Sequence, residues 1–266
     1  MRNTPVRDIA QADFSVISPD WSCFPQNVHA FTTMRKAGAS AFPYDDGYAR
    51  GGFNLGAHVG DDLDVVRRNQ DALNQYLPSN IIFLSQKHGT VVCDAALAVN
   101  GCEADACFTN QGAIACAILT ADCLPVLFSD TRGTVVAAAH AGWRGLASGI
   151  LQNTVKEMRE AGAEEIVAWL GPAIGPAQFE VGQDVYDAFS KILEHTGNYF
   201  VNQLVGGRAS GKYLADIYGL AKSVLSSVGV NSVHGGEHCT VSAPENFYSY
   251  RRDGVTGRMA SVIWMD

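Results

Sequence analysis

Three side chains that can bind a metal lie at the ends of short apolar runs. They are His88, Cys123 and His140, and each lies close to glycine or proline in the sequence. Two imidazoles and one thiolate suit Zn²⁺, and copper accepts the same ligands. Three protein ligands leave a fourth position open to water or substrate, whereas a structural zinc site fills that position with a protein side chain. Among metal sites, these residue types favour a catalytic zinc or copper site, in which the ion activates water, over a structural one.

Spacing alone leaves other interpretations of these three residues open. His88, Cys123 and His140 are separated by 35 and 17 positions, which matches no compact zinc motif. A histidine beside glycine is most often a hydrogen-bonded turn residue, and a cysteine at a strand end is most often a buried thiol. A metal-free alternative uses the same residues, with Cys123 as a nucleophile activated by His140 or His88.

Four further residues are candidates for contact with a substrate or a ligand. Arg144 begins a predicted helix, where its guanidinium and the helix N–H groups would bind an anion; the alternative is packing on Trp143. Arg251 would add a second anion contact or belong to a charged surface turn. Asn54 would face a substrate or hold a turn. Asp105 would orient a histidine ligand from behind or cap a turn.

Composition and charge exclude several classes of protein. The chain has 266 residues, is 47% hydrophobic and carries a net charge of −8 without a basic stripe, so no nucleic-acid partner is expected. No run approaches the ~18 consecutive apolar residues of a membrane span, and no signal peptide is recognisable at the N-terminus. Seven cysteines, an odd number, favour a cytoplasmic protein with reduced thiols over a disulfide scaffold.

Hydrophobic periodicity predicts the elements that must position these residues. Amphipathic helices are predicted over 61–77, 146–161, 184–195 and 213–228. Strands are predicted over 81–84, 90–93, 113–119, 126–128, 134–139, 166–170 and 261–264, and a glycine-rich loop over 35–56. Several strands are apolar on both faces, which predicts a layered α/β fold with helices on both sides of a sheet. No linker or repeat divides the chain, so 1–266 is expected to form one domain, with 1–27 as its N-terminal extension.

In chain order, several motifs resemble the YfiH family, also called the laccase-domain or polyphenol oxidase family. The most specific are Ala-Asp-Cys-Leu-Pro at 121–125 and His-Ala-Gly-Trp-Arg-Gly at 140–145. Asn-Leu-Gly at 54–56 and Phe-Glu-Val-Gly at 179–182 support them, and the likeness runs from about residue 28 to the C-terminus. The resemblance implies an α+β layered sandwich of α-β-β-α type, similar in core to the catalytic domain of cytotoxic necrotising factor toxins. It also implies a metal or reactive site at His88, Cys123 and His140.

The resemblance further implies small-molecule chemistry on purine nucleosides. The expected reactions are phosphorolysis of adenosine, inosine and methylthioadenosine, and deamination of adenosine at C6, with phosphate held by an arginine such as Arg144. The Thr-Thr-Arg run of the family departs here through an extra residue before Arg35, which puts a substrate role for that arginine in doubt. A Cys123-dependent amidase or deamidase, a mononuclear copper phenol oxidase side activity and a non-enzymatic protein with a structural metal are the alternatives.

The name laccase implies a set of copper ligands that this sequence does not contain. A multicopper oxidase needs a blue-copper site and a histidine-rich cluster built from His-x-His pairs. The chain has seven histidines and no His-x-His pair. A multicopper oxidase is therefore not expected.

Overall fold

The computed structural model describes residues 9–21, 25–79, 81–205 and 208–266. The strands are β1 (Val16–Ile17), β2 (Val28–Thr33), β3 (Lys36–Ser40), β4 (Val92–Asp94), β5 (Ala106–Thr109), β6 (Cys116–Thr120), β7 (Leu124–Asp130), β8 (Val136–Ala141), β9 (Ile166–Leu170), β10 (Glu180–Gly182), β11 (Phe200–Val205), β12 (Arg208–Ala215), β13 (Ser232–Gly235) and β14 (Met259–Met265). The α-helices are α1 (Leu63–Asn74), α2 (Trp143–Ser148), α3 (Ile150–Glu160), α4 (Gln183–Ser190), α5 (Ile217–Ser227) and α6 (Tyr250–Asp253). Cys23 lies outside the described residues.

Two sheets stack in the centre of the protein, and helices cover their outer faces. One sheet has the order β1-β2-β14-β6, and the other has the order β13-β9-β7-β8-β5-β4. Their facing side chains form one apolar layer, for example Ile118 and Ile263 against Leu127 and Trp169. Helix α1 packs on the outside of the first sheet, and α3 and α5 pack on the outside of the second. This α-β-β-α layering confirms the predicted fold class.

A third sheet, ordered β10-β12-β11, lies beside α4. Its strands come from a stretch for which the sequence predicted only helices. Helix α5 begins at Ile217, not at residue 213, because Tyr213 and Leu214 pair with Val181 and Glu180 in this sheet. Asp216 then caps the helix by accepting a hydrogen bond from the Gly219 N–H.

Other predicted elements differ from the structure for local reasons. The predicted helix 146–161 is two helices, because Gly149 adopts a left-handed φ of 107° between α2 and α3. The predicted helix 184–195 ends at Ser190. The predicted strand 81–84 is wrong: Ile81 and Leu84 are buried, but the segment lies in no sheet. The predicted loop 35–56 contains β3, which bridges to Gly52.

The register of the central hairpin matters most for the site. Strands β7 and β8 are antiparallel, with Pro125 opposite His140 and Leu124 opposite Ala141. This register places Cys123, just before β7, next to the end of β8. Across the described part of the chain, none of the helices combines the length and apolar character that crossing a membrane requires.

Candidate metal centre

His88, Cys123 and His140 converge at one end of the hairpin formed by β7 and β8. One possible ligand atom from each residue lies within 4.8 Å of the others. Cys123 Sγ is 3.7 Å from His88 Nε2. His140 is buried, Cys123 is half-buried and His88 is exposed, so the cluster is open on the His88 side.

Asp105 holds both histidines of the cluster. Its Oδ1 lies 2.8 Å from His140 Nδ1, which leaves Nε2 as the ring nitrogen available to the site. The same carboxylate accepts hydrogen bonds from the backbone N–H groups of Lys87, His88 and Gly89. These bonds stabilise the turn in which His88 adopts a left-handed φ of 59°. Asp105 thus orients one histidine through its ring and the other through its backbone.

Gly142 allows the three side chains to approach one another. A Cβ atom at this position would lie 2.9 Å from His88 Cδ2 and 3.0 Å from Cys123 Sγ. Any larger residue would therefore push at least one of these side chains away. Glycine is required here by close approach alone, because no left-handed φ is recorded for Gly142.

Asp122 and Gln86 fix the segments that carry Cys123 and His88. Asp122 has a positive φ of 87°, and its carboxylate accepts hydrogen bonds from the Thr240 hydroxyl and the Arg251 N–H, both at 2.6 Å. The Gln86 side chain donates a hydrogen bond from Nε2 to the Leu119 carbonyl and accepts one at Oε1 from the Leu119 N–H, both at 2.9 Å. These contacts tie the two segments to β6 and to the C-terminal region.

Electrostatic interactions within the cluster favour a thiolate beside an imidazolium. Burial raises the pKa of Cys123, but the charge and hydrogen bond of His140, with the hydrogen bond from His88, lower it to about 6. Burial lowers the pKa of His140, but the Cys123 thiolate and Asp105 raise it to about 9. Burial likewise opposes ionisation of Asp105, yet hydrogen bonds from His140, Gly89 and Lys87 bring its pKa to about 2. A thiolate is the form of cysteine that binds metals and attacks electrophiles.

The donor set fits one zinc or copper ion. In a tetrahedral zinc site, nitrogen and sulfur ligands lie about 3.5 Å from one another, and the 3.7 Å separation of His88 and Cys123 is close to that value. Within the described ranges, no second group of three or more His, Cys, Asp or Glu residues comes together in this way. The donor groups thus suit a mononuclear centre and not a multicopper one.

A cavity of about 980 Å³ opens over the cluster. Leu55, Trp143 and Phe179 contribute apolar surface to its lining. Lysine and arginine side chains contribute positive charge, although the chain as a whole is acidic; they are Arg67, Lys87, Arg144, Arg251 and Arg258. The cavity therefore suits a ligand that combines an apolar ring with an anionic group.

The structure brings two of the predicted substrate residues to this cavity. Arg144 is exposed on its wall and lies over the Trp143 ring at 4.5 Å. Arg251 is also exposed on the wall, and its Nη2 donates to the Glu180 carbonyl at 3.0 Å. Both arginines reach the cavity, and the predicted packing of Arg144 on Trp143 is present as well.

Asn54 is not brought to the cavity. It is fully buried, and its side-chain oxygen accepts hydrogen bonds from the N–H groups of Gly56 and Arg258. Its amide nitrogen donates to Asp61 at 3.0 Å. The side chain thus holds a turn, which was the alternative to a substrate contact.

Arg258 is a cavity residue that the motifs did not single out. It is half-buried on the wall, and its place depends on the distant segment 54–56. The sequence offered only its position near Arg251 and Arg252 as a signal. Arg35, in contrast, is buried against the carbonyls of Asp45 and Pro244, away from the cavity lining.

The fold and the site together define a layered α/β protein with a candidate three-ligand metal centre. A family model described as "Multi-copper polyphenol oxidoreductase laccase" matches residues 29–266. The chain belongs to this laccase-domain family, which contains the proteins named YfiH, and the resemblance seen in its motifs is confirmed.

Relatives and solved structures cover nearly the whole chain. A Haemophilus influenzae protein named purine nucleoside phosphorylase is 46% identical over 252 residues, which is 94% of this chain and 99% of the relative. The Escherichia coli purine nucleoside phosphorylase YfiH is 45% identical over 253 residues, covering 94% of this chain and 98% of its own length. A Neisseria meningitidis crystal structure has a TM-score of 0.85 and 49% identity, covering 94% of this chain and 99% of its own. YlmD from Geobacillus stearothermophilus has a TM-score of 0.82 and 28% identity, covering 96% and 99%.

Proposed function

We propose that this protein is a metal-dependent purine nucleoside phosphorylase that also deaminates adenosine. The observation that carries the proposal is the convergence of His88, Cys123 and His140 beneath a cavity that has both apolar and cationic walls. The names of the H. influenzae and E. coli relatives support the purine nucleoside substrate. We further propose zinc as the metal, with copper as the alternative, and a cytoplasmic location. The six described cysteines are free thiols, as expected in a reducing compartment.

In this proposal the side chains of the site have separate roles. A bound metal would act as a Lewis acid and polarise an oxygen atom of water or of the substrate. Asp105 keeps His140 in the orientation that presents Nε2 to the site. Trp143 and Phe179 offer apolar surface to a purine ring, and the arginines of the cavity wall offer donors to phosphate.

The direct test measures product release from adenosine, inosine and methylthioadenosine with phosphate and Zn²⁺ present. We expect release of the free base with each substrate, and inosine from adenosine. Cys123→Ala should lower both activities by about 100-fold or more, because loss of a ligand should cost at least as much as loss of a residue that orients one. Cys102→Ala is the matched control, because this half-buried thiol is not among the cavity-lining residues. If the wild-type protein releases neither adenine nor inosine, the proposal fails.

A second candidate function uses Cys123 as a nucleophile in an amidase or deamidase. The observation in its favour is the thiol pKa of about 6 beside His140, which Asp105 orients as in a Cys-His-Asp triad. This function predicts a covalent adduct on Cys123 and full activity in the presence of a chelator. The metal-dependent function predicts loss of activity on chelation and recovery when Zn²⁺ is restored.

A further inference from the structure

Four cations of the cavity wall form no direct ion pair in the part of the chain that the structure describes. Lys87, Arg144, Arg251 and Arg258 form no ion pair with any described carboxylate. Arg67, at the same wall, is already paired with Asp64 at 3.0 Å. Lys87, Arg144 and Arg251 are exposed, whereas Arg258 is half-buried, so its charge carries a desolvation cost that a bound anion would offset. In a chain of net charge −8, the concentration of these cations here indicates an anionic ligand.

Arg258 is the cation that the fold holds most firmly. Its guanidinium Nη1 donates to the carbonyls of Thr256 and Gly257 at 3.1 and 3.0 Å. Its backbone N–H donates to Asn54 Oδ1 at 2.9 Å, and its carbonyl accepts from the Leu55 N–H at 3.1 Å. A Cβ atom at Gly56 would lie 2.7 Å from Arg258 Cγ, so the arginine stem packs directly on the backbone there.

Arg258 lines the same cavity as His88, Cys123 and His140. Arg258 lies close enough to Cys123 and Asp122 for their negative charges to raise its pKa, although burial lowers it overall. Arg258 and Lys87 also act together on His58, because burial and both of their charges lower its pKa. Arg258 and Lys87 both line the cavity that opens over the cluster. The Nε and Nη2 donors of Arg258 have no protein acceptor in the described ranges.

The other two arginines are less suited to hold an anion beside the cluster. Arg251 donates Nη2 to the Glu180 carbonyl and Nη1 to the Gln178 carbonyl, which directs its guanidinium toward β10. Arg144 is exposed and stacked on Trp143. A half-buried guanidinium with two free donors is the better match for two phosphate oxygens.

We propose that Arg258, together with Lys87, forms the subsite for inorganic phosphate, and that Asn54 is a positioning residue for Arg258. This inference rests on the proposed phosphorylase function. In the reaction, an oxygen of hydrogen phosphate forms a bond to C1′ of the ribose while the C1′–N9 bond breaks. The electron pair of that bond goes to the purine, and the proton of the phosphate is transferred to a purine nitrogen. In this assignment the buried Asn54 acts on the ligand only through Arg258.

The test compares Arg258→Gln with Arg68→Gln, which removes the same charge from an exposed position of α1 outside the cavity lining. Inorganic phosphate binding is measured by calorimetry, and KM is measured separately for phosphate and for inosine. We expect Arg258→Gln to weaken phosphate binding and raise the phosphate KM by about 10- to 100-fold, as for lost hydrogen bonds between charged groups. The inosine KM and all parameters of Arg68→Gln should change by less than about twofold, since Arg68 is exposed and lies outside the cavity lining. Equal effects of the two substitutions would overturn the assignment.

Asn54→Ala tests the positioning role. We expect a higher phosphate KM with an unchanged inosine KM, because the backbone N–H of Arg258 loses its hydrogen bond to Asn54 Oδ1 and the arginine is held less firmly. A lower melting temperature with both KM values unchanged would make Asn54 merely structural and would overturn its role.

Two further outcomes separate the subsite from the reaction. If phosphate binding depends on Arg258 but the wild-type protein performs no phosphorolysis, the subsite holds and the proposed function fails. If the wild-type protein binds no inorganic phosphate, or if Arg258→Gln weakens binding only of adenosine 5′-monophosphate, the assignment to free phosphate is overturned.

Discussion

Gly142 is the residue on which the geometry of the cluster depends most simply. It carries no charge and makes no side-chain contact, yet it leaves the space in which His88 and Cys123 meet. Metal affinity depends on the positions of all three ligands, so a displacement of a few tenths of an ångström at one of them weakens binding. A substitution at Gly142 therefore tests the effect of ligand position on metal affinity while all three candidate ligands are kept.

We predict that Gly142→Ala lowers metal affinity and both proposed activities by about tenfold or more, because the new methyl group displaces a ligand side chain. Bound zinc is measured by mass spectrometry after dialysis against a weak chelator, alongside the activity assays. Gly197→Ala is the control, since its Cβ would meet no atom within 4 Å and its φ is not left-handed. Full zinc retention in Gly142→Ala would contradict this account of the glycine.

At the residue scale, motif and residue type identified the three candidate ligands and not the residue we assign to the anion. Histidine and cysteine can bind a metal in almost any setting, so motif and residue type were sufficient to find His88, Cys123 and His140. Arg258 gains its role from contacts with Asn54 and Gly56, which are distant in the sequence. Neither periodicity nor a local motif predicts a contact between residues so far apart in the sequence.

The hairpin of β7 and β8 is the element that joins stability to the site. One end of it carries Cys123 and His140, and the other end is closed by Asp130. This fully buried carboxylate accepts hydrogen bonds from the Thr134 hydroxyl and from the N–H groups of Thr134 and Val135. Burial raises the pKa of Asp130, but these hydrogen bonds and Arg132 lower it below the usual value of 3.8.

We predict that Asp130→Asn lowers the free energy of unfolding by about 1–3 kcal/mol at neutral pH, since hydrogen bonds to a buried charge are lost. A carboxyl whose pKa is lowered by folding stabilises the protein above its unfolded pKa, and this stabilisation is lost as the pH falls through the folded pKa. The difference from wild type should therefore be constant above about pH 5 and shrink below about pH 4.

Urea unfolding across this pH range measures the effect. Asp71→Asn, on the exposed face of α1, serves as the control and should change stability little at any pH. A difference between Asp130→Asn and wild type that stayed constant down to the lowest pH would rule out the ionised carboxylate as its source.

At the element scale, periodicity located α1 and α3 to α5 better than it located their ends. The helix predicted from residue 146 continued past Gly149 because its apolar positions on both sides are in phase, and only the left-handed φ breaks it. The helix predicted from residue 213 began too early because Tyr213 and Leu214 fit its apolar face while pairing in a sheet. Strand partners such as β2 and β14 are far apart in the chain, and local sequence carries no record of their pairing.

The whole molecule has one candidate centre in the described ranges, and this limits its metal content. We predict about one zinc or copper equivalent per chain after reconstitution, as expected for a single three-ligand site. Cys123→Ala should lose the metal, and Cys102→Ala should keep it. Elemental analysis of the purified proteins decides between the outcomes, and a reproducible stoichiometry of two or more would show that a second site exists.

The negative net charge of the molecule and the positive charge of the cavity have opposite effects on a phosphate ion. A net charge of −8 repels phosphate at long range, so a steep local field from Lys87 and Arg258 has to supply the attraction. The proposed phosphate KM should therefore depend on ionic strength more strongly than the nucleoside KM does.

Strand β14 lies between β2 and β6, and Arg258 immediately precedes it. During translation, β2 and β6 emerge long before the strand that separates them, and neither can complete its hydrogen bonding until residues 259–265 have been made. Until then the edges of β2 and β6 that face β14 have no partner strand, a state that favours aggregation. The site follows the same order of synthesis. Arg258 is added just before β14, so the cavity that would receive phosphate is incomplete until this part of the chain has been made.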